Sequence, residues 1–173
     1  MRYEIISFDN ISDDRAPSLD WCHKQFSPVI GEIIYLFFTK VDFDVFDEYK
    51  EIIRSIQNKK HLTQKEQVGL SKIKKQLWLK NDFAKNKKFY NPLVATPYKD
   101  NKYLVHPGRD RFVILKAFGY NEYEFLVCSD KEMERSNLEE IQSHHVQDTI
   151  IRFNQRNFST VTNVDDTAFR KWI

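Results

Sequence analysis

Glycine and proline are scarce in this chain, with four and five residues among 173. Together they make about 5%, where roughly 12% is usual, so collagen-like, linker-rich and glycine-rich low-complexity architectures are excluded. With so few, each glycine is expected where the backbone requires it. Cysteine is nearly absent: Cys22 and Cys128 lie far apart and match no metal or redox spacing, which excludes a disulfide framework. Long apolar runs are missing too. The longest, Ile33 to Phe38, is six residues, far short of a membrane span. The opening MRYEIISFDNISDD is acidic and lacks an apolar core of signal-peptide length. A soluble, cytoplasmic protein with no membrane partner is expected.

What is present argues for a packed fold. Hydrophobic residues make up 41% and aromatics 14%, too much for a disordered chain. The length suits one domain over residues 1–173. Lysine, asparagine, isoleucine, phenylalanine and tyrosine are plentiful while alanine is scarce, a bias typical of an AT-rich coding genome and a hint toward a phage or an AT-rich bacterium. The formal charge of +2 hides a division into blocks. Residues 1–51 carry five basic and eleven acidic groups, residues 52–119 sixteen and four, and residues 120–173 six and ten. A cationic middle between acidic ends makes a surface field that the total does not report.

The element pattern is mixed. Residues 1–43 are expected to form an N-terminal strand region, with Ile33-Ile34-Tyr35-Leu36-Phe37-Phe38 as a buried strand bounded by Gly31 and Lys40. Residues 44–88 are expected to be a lysine-rich helical hairpin. Its first helix has Asp44 as N-cap and Phe46, Tyr49, Ile53 and Ile56 at helical spacing. Its second opens with Thr63 and Glu66 as a capping box and carries Leu70, Ile73 and Leu77. From Pro92 the pattern changes. Residues 92–96 and 103–105 form a hairpin, residues 106–111 a loop, Phe112 to Phe118 a short helix closed by Gly119, and Tyr123 to Cys128 a strand. Residues 131–173 form a helical or mixed extension. Ser136 and Glu139 make another capping box there, and Phe169 and Trp172 anchor a polar end.

The loop concentrates the chemistry. Gly108 precedes a helix start and is flanked by Arg109 and Arg111. A helix N-terminus presents N–H groups and the positive end of its dipole, glycine lets the backbone approach an oxyanion, and an arginine fork matches phosphate. The alternative is a tight turn whose arginines are solvated or paired with Asp110.

These residues resemble the ParB/sulfiredoxin superfamily over about residues 70–128. The matching pieces are Asn91-Pro92-Leu93-Val94, the run from Tyr103 to Arg111, Phe118-Gly119, and Tyr123 to Val127. The resemblance implies a strand–hairpin–loop–helix–strand core at residues 89–130. It places Gly108 on the family's loop glycine and Arg111 on the arginine that contacts phosphate. Arg109 takes the place of the sulfiredoxins' reactive cysteine, and a guanidinium cannot act as that nucleophile. Asp110 lies where many ParB-type members have Arg or His, a departure from the CTP-hydrolysing pattern. No helix-turn-helix domain finds a place in residues 130–173. The resemblance is therefore to a stand-alone, phage-type member.

Other constellations are weaker. His144 and Asp148, with His145 beside them, have i,i+4 spacing but no third ligand. Trp21-Cys22-His23 sets a thiol beside an imidazole, with packing as the plainer reading. Asp42, Asp44, Asp47 and Glu48 suit either a divalent ion or a helix N-terminus. Residues 59–88 hold ten lysines and two acids. Lys72, Lys75 and Lys80 lie along one helix side, and Lys87 and Lys88 follow. That stripe suits a nucleic-acid backbone or a solvated face.

The expectation is an α+β protein that recognises the phosphate of a nucleotide or nucleic acid through Gly108, Arg109, Asp110 and Arg111, with the lysines extending the surface. His106 is the candidate general acid or base. The resemblance admits nuclease or nucleotide-hydrolysing activity and a nucleotide with a divalent metal ion as cofactor. No metal ligands are assigned. The alternative is a non-catalytic phage-type protein that binds and modulates a host protein in the host cytoplasm.

Overall fold

The computed structural model describes residues 2–89, 92–105, 108–129, 131 and 167–173. These form an α+β structure in two compact units. One takes residues 2–15 and those from 86 to 131; the other takes residues 16–85 and 167–173. Among the described residues no helix is long and apolar enough to cross a membrane.

The first unit is built on a four-stranded mixed sheet. Its strands are β1 (Arg2–Ser7), β2 (Leu93–Pro97), β3 (Tyr103–Val105) and β4 (Glu122–Val127), in the order β1-β4-β2-β3. β1 runs antiparallel to β4, with Glu4 opposite Phe125, while β2 runs parallel to β4, with Val94 opposite Leu126. β2 and β3 form the expected hairpin, with Ala95 opposite Val105. Parallel strands need a crossover, and helix α6 (Arg109–Ala117) lies between β3 and β4 in sequence. Leu93, Val94 and Ala95 are buried in succession, as an inner strand covered on both faces requires. Phe112 on α6 packs edge-on against Phe8 at 4.9 Å and against Phe125 at 6.4 Å between ring centroids. Gly119, at φ 86°, follows α6 and donates its N–H to the Lys116 carbonyl, so the expected glycine stop is present.

The second unit is helical: α1 (Leu19–Phe26), α2 (Pro28–Lys40), α3 (Asp44–Glu48), α4 (Lys50–Gln57), α5 (Gln64–Asn86) and α7 (Thr167–Trp172). The strand expected at Ile33 to Phe38 is overturned, because these residues lie within α2. Ile30, Ile33, Ile34 and Phe37 are all buried, at the i, i+3, i+4, i+7 spacing of a helix face, while Glu32 is exposed. Pro28 at the first helical position starts the helix where its missing N–H costs nothing.

Gly31 is where α2 meets α1. A Cβ there would sit 2.5 Å from the carbonyl oxygen of Cys22 and 2.9 Å from the backbone nitrogen of His23. Gly69, in the middle of α5, serves a similar approach, since its Cβ would lie 2.4 Å from Ile30 Cγ2.

The single helix expected over 45–57 is two, α3 and α4, separated at Tyr49. Asp44 is the first residue of α3, and its N–H is accepted by the Asp42 carboxylate at 3.0 Å.

The capping box at the start of α5 forms as expected. Glu66 N–H donates to Thr63 Oγ1 and Thr63 N–H to Glu66 Oε1, both at 3.1 Å. Lys59 Nζ adds a bond to Glu66 at 2.8 Å. Lys59 first, then the Thr63 N–H, hold the Glu66 carboxyl below the ordinary glutamate value of 4.5. A carboxyl lowered in the folded state contributes stability above its unfolded value and loses it as pH falls through its folded value. Urea midpoints measured from pH 6 downward are expected to fall in the acid range below about 4.5. Glu66→Gln is expected to flatten that part of the curve; an unchanged slope would show that Glu66 is not coupled to folding.

Candidate functional site

Of the loop expected over 106–111, residues 106 and 107 lie outside the described residues, and Arg109, Asp110 and Arg111 are helical instead, forming the first turn of α6. Gly108 is the N-cap, at φ 118° and ψ 13°, in the left-handed region where a side chain is strained. Its carbonyl accepts the first turn's bond from Phe112 N–H at 2.9 Å, so the N–H groups of that turn face the loop. A Cβ on Gly108 would lie 3.1 Å from Arg111 Nη2. The φ favours glycine, and the guanidinium packed against it leaves little room for a side chain.

Arg111 is half-buried, and its Nη1 donates to the Pro92 carbonyl at 2.8 Å. Burial pushes its guanidinium down to about 10, with the charge of Asp110 acting in the opposite direction. The group therefore stays cationic at neutral pH. It braces Gly108 against the start of β2, tying together two pieces 19 residues apart. Asp110 is buried in the first turn of α6, a place where a carboxylate meets the positive end of the helix dipole.

Arg109 faces another partner. After β1 the chain runs to the far edge of the sheet, where Ile11 bridges Tyr103 and Ser12 N–H donates to the Tyr103 carbonyl at 2.8 Å. This sets residues 12–14 beside α6. Arg109 Nη2 donates to Asp13 Oδ1 at 3.2 Å, and its Nη1 reaches the Ser12 carbonyl at 3.4 Å. The Arg109 side chain is 15% exposed, whereas that of Asp13 is 81% exposed. Asp14 accepts from Tyr98 Oη at 2.8 Å and pairs with Lys99 at 3.1 Å, and these two partners hold its carboxyl below the ordinary aspartate value. Arg109 and Lys116 both lie over the Phe112 ring, at 5.4 and 5.0 Å. Sequence reasoning missed this N-terminal contribution. Ser12, Asp13 and Asp14 lie nearly a hundred residues from Arg109, and no local spacing marks such a pairing.

His106 lies outside the described residues, as do Asn91, the Ser136–Glu139 capping box, His144, His145 and Asp148.

The lysines divide between the units. Lys72, Lys75 and Lys80 belong to the helical unit; Lys87 and Lys88 belong to the other. Lys72, Lys75 and Lys80 are half-buried, and two of their ammonium groups lie over rings: Lys72 over Phe38 at 5.8 Å and Lys80 over Phe43 at 4.6 Å. Lys87 is exposed, at φ 58°, just past the end of α5.

The acidic cluster is used by the fold: Asp42 accepts the Asp44 N–H at the start of α3, Asp47 accepts from the Trp172 indole, and Glu48 lies 3.8 Å from Lys40. Cys22 is buried, and burial pushes its thiol up, away from thiolate chemistry. Among the described residues no group of three or more His, Cys, Asp or Glu side chains could hold a metal ion. No protein-family model matches this chain, and no curated protein or solved structure matches it.

Proposed function

We propose that this protein recognises a phosphate of a nucleotide or nucleic-acid backbone at Gly108–Arg111, on a stand-alone, phage-type ParB/sulfiredoxin-like core. The observation that carries the reading is the left-handed Gly108 at the N-cap of α6, with one guanidinium packed against it and a second one residue on. The helix dipole, the first-turn N–H groups and two cationic side chains then lie at one end of α6. The hairpin of β2 and β3, followed by α6 and β4 over residues 93–127, is an order that such a core would have.

The two arginines take different roles in this reading. Arg111 positions the loop and adds its charge from beneath. Arg109 is the group that meets the ligand: its partner Asp13 is largely exposed, an arrangement in which an ion pair is worth little, so a more highly charged phosphate displaces it. Binding alone is proposed, with no catalytic step. A ligand that binds only the folded state raises the melting temperature by mass action. At low salt, a nucleoside triphosphate or a short single-stranded oligonucleotide is expected to raise it for the wild type and to raise it less for Arg109→Ala. No shift with either ligand would defeat the reading.

A second reading, a non-catalytic protein that binds a host protein, is favoured by one observation. Arg109 and Arg111 already have acceptors within their own unit, in Asp13, Ser12 and Pro92. Co-purification of a stoichiometric protein partner, with no response to phosphate ligands, would select it.

A further inference from the structure

The C-terminal segment sits on the helical unit in the manner of a bound peptide. The six-residue α7 is too short to hold its shape alone in water, so its conformation depends on the face that receives it. Phe169 is the buried anchor, 2% exposed, with Lys74 Nζ 5.0 Å from its ring centre. One turn on, the Trp172 indole N–H donates to Asp47 Oδ1 at 2.6 Å, and Lys50 Nζ lies over its ring at 5.4 Å. The Ile173 carbonyl oxygen accepts from Arg54 Nε at 2.9 Å and Nη2 at 2.6 Å. Arg54 is itself oriented by Glu51, at 2.5 Å on the same helix. An indole acceptor on α3 (Asp47), a cationic fork on α4 (Arg54) and an ammonium on α5 (Lys74) are thus each matched to one feature of the segment.

We propose that this face is a peptide-binding site whose tethered occupant is the segment 169–173, and that its ligands are short helical peptides with aromatic residues three positions apart. Because the segment belongs to the same chain, its binding is intramolecular, so modest intrinsic affinity keeps the site filled. A segment held this way is exchangeable. The inference does not rest on phosphate recognition.

A fluorescein-labelled peptide of residues 167–173, titrated into full-length protein, tests it. The peptide is expected to bind Phe169→Ala, whose own segment is weakened, at least about tenfold more tightly than wild type, because the tethered wild-type segment competes. Adding Asp47→Ala to Phe169→Ala is expected to weaken that binding again by about tenfold, through loss of the indole acceptor. Binding to neither form, or equally to both, overturns the proposal. Should Phe169→Ala fail to fold, hydrogen exchange on the unaltered chain decides. The Trp172 indole N–H and the amides of residues 171–173 are expected to exchange at least about tenfold faster than those of Leu77 and Phe83, through opening of the segment alone. Equal protection would show a fixed part of the core and overturn the proposal.

Discussion

Gly31→Ala is expected to destabilise the protein by about 3 kcal/mol, lowering the melting temperature by roughly 6–12 °C for a chain of this size. The added methyl would lie 2.5 Å from the Cys22 carbonyl oxygen, 2.7 Å from its carbonyl carbon and 2.9 Å from the His23 nitrogen. All three are backbone atoms, so no rotamer change relieves the overlap and α1 must move as a body. The intrinsic preference of alanine for helices works in the opposite direction by only about 1 kcal/mol. Gly69→Ala is the informative contrast. Its methyl meets Ile30 Cγ2 at 2.4 Å, a side-chain methyl rather than backbone, with Phe26 Cβ and the Phe26 backbone oxygen farther off at 3.1 Å. A smaller loss is expected there. Denaturant midpoints for the two variants measure the difference, and a Gly31→Ala protein as stable as wild type would mean that α1 does not cross α2 at this point.

The second large effect lies in the other unit. Arg111→Ala is expected to cost about 2–3 kcal/mol, because it removes the donor to the Pro92 carbonyl and empties the space beside Gly108. Arg111→Lys is expected to recover little, since a single ammonium cannot both bond that carbonyl and fill the guanidinium plane. Arg109→Ala behaves differently. Its ion pair with Asp13 is mostly in water on the aspartate side, so loss of the pair itself is expected to cost only about 0.5 kcal/mol, with the contact to the Phe112 ring adding to it. The comparison matters for function. Loss of ligand binding in Arg111→Ala would follow from a disturbed loop whether or not the guanidinium touches phosphate. Loss in Arg109→Ala, with stability kept, points to contact. Equal destabilisation by the two substitutions would remove the distinction between a bracing arginine and a reporting one.

Local chemistry was legible in the sequence where one stretch of chain settles its own structure. The Thr63–Glu66 capping box, the 103–105 strand and the Gly119 stop depend on neighbours within a few residues, and each is found. The misreading of Ile33 to Phe38 had a local cause. A run of β-branched and aromatic residues satisfies both strand propensity and a buried helix, and the deciding signals, Pro28 and the stripe beginning at Ile30, lie just outside the run. The reason for Gly69 is non-local, since it is Ile30, 39 residues earlier. The same holds for the site. Gly108, Arg109 and Arg111 stood out by type and order, but their partners Asp13, Ser12 and Pro92 are set by sheet topology. The charge blocks gave a cationic middle without showing that Lys72 and Lys80 are turned onto rings of their own unit.

The most direct test of phosphate recognition at α6 is the salt dependence of oligonucleotide affinity in wild type and Arg109→Ala. Fluorescence anisotropy with a short labelled single strand, between about 50 and 200 mM salt, reads the number of phosphates neutralised from the slope. The account predicts a wild-type affinity that falls steeply with salt. It also predicts an Arg109→Ala protein that melts nearer to wild type than Arg111→Ala does, binds about tenfold more weakly and has a shallower slope. Absence of binding at the lowest salt, or an Arg109→Ala isotherm that overlays the wild type, would contradict it.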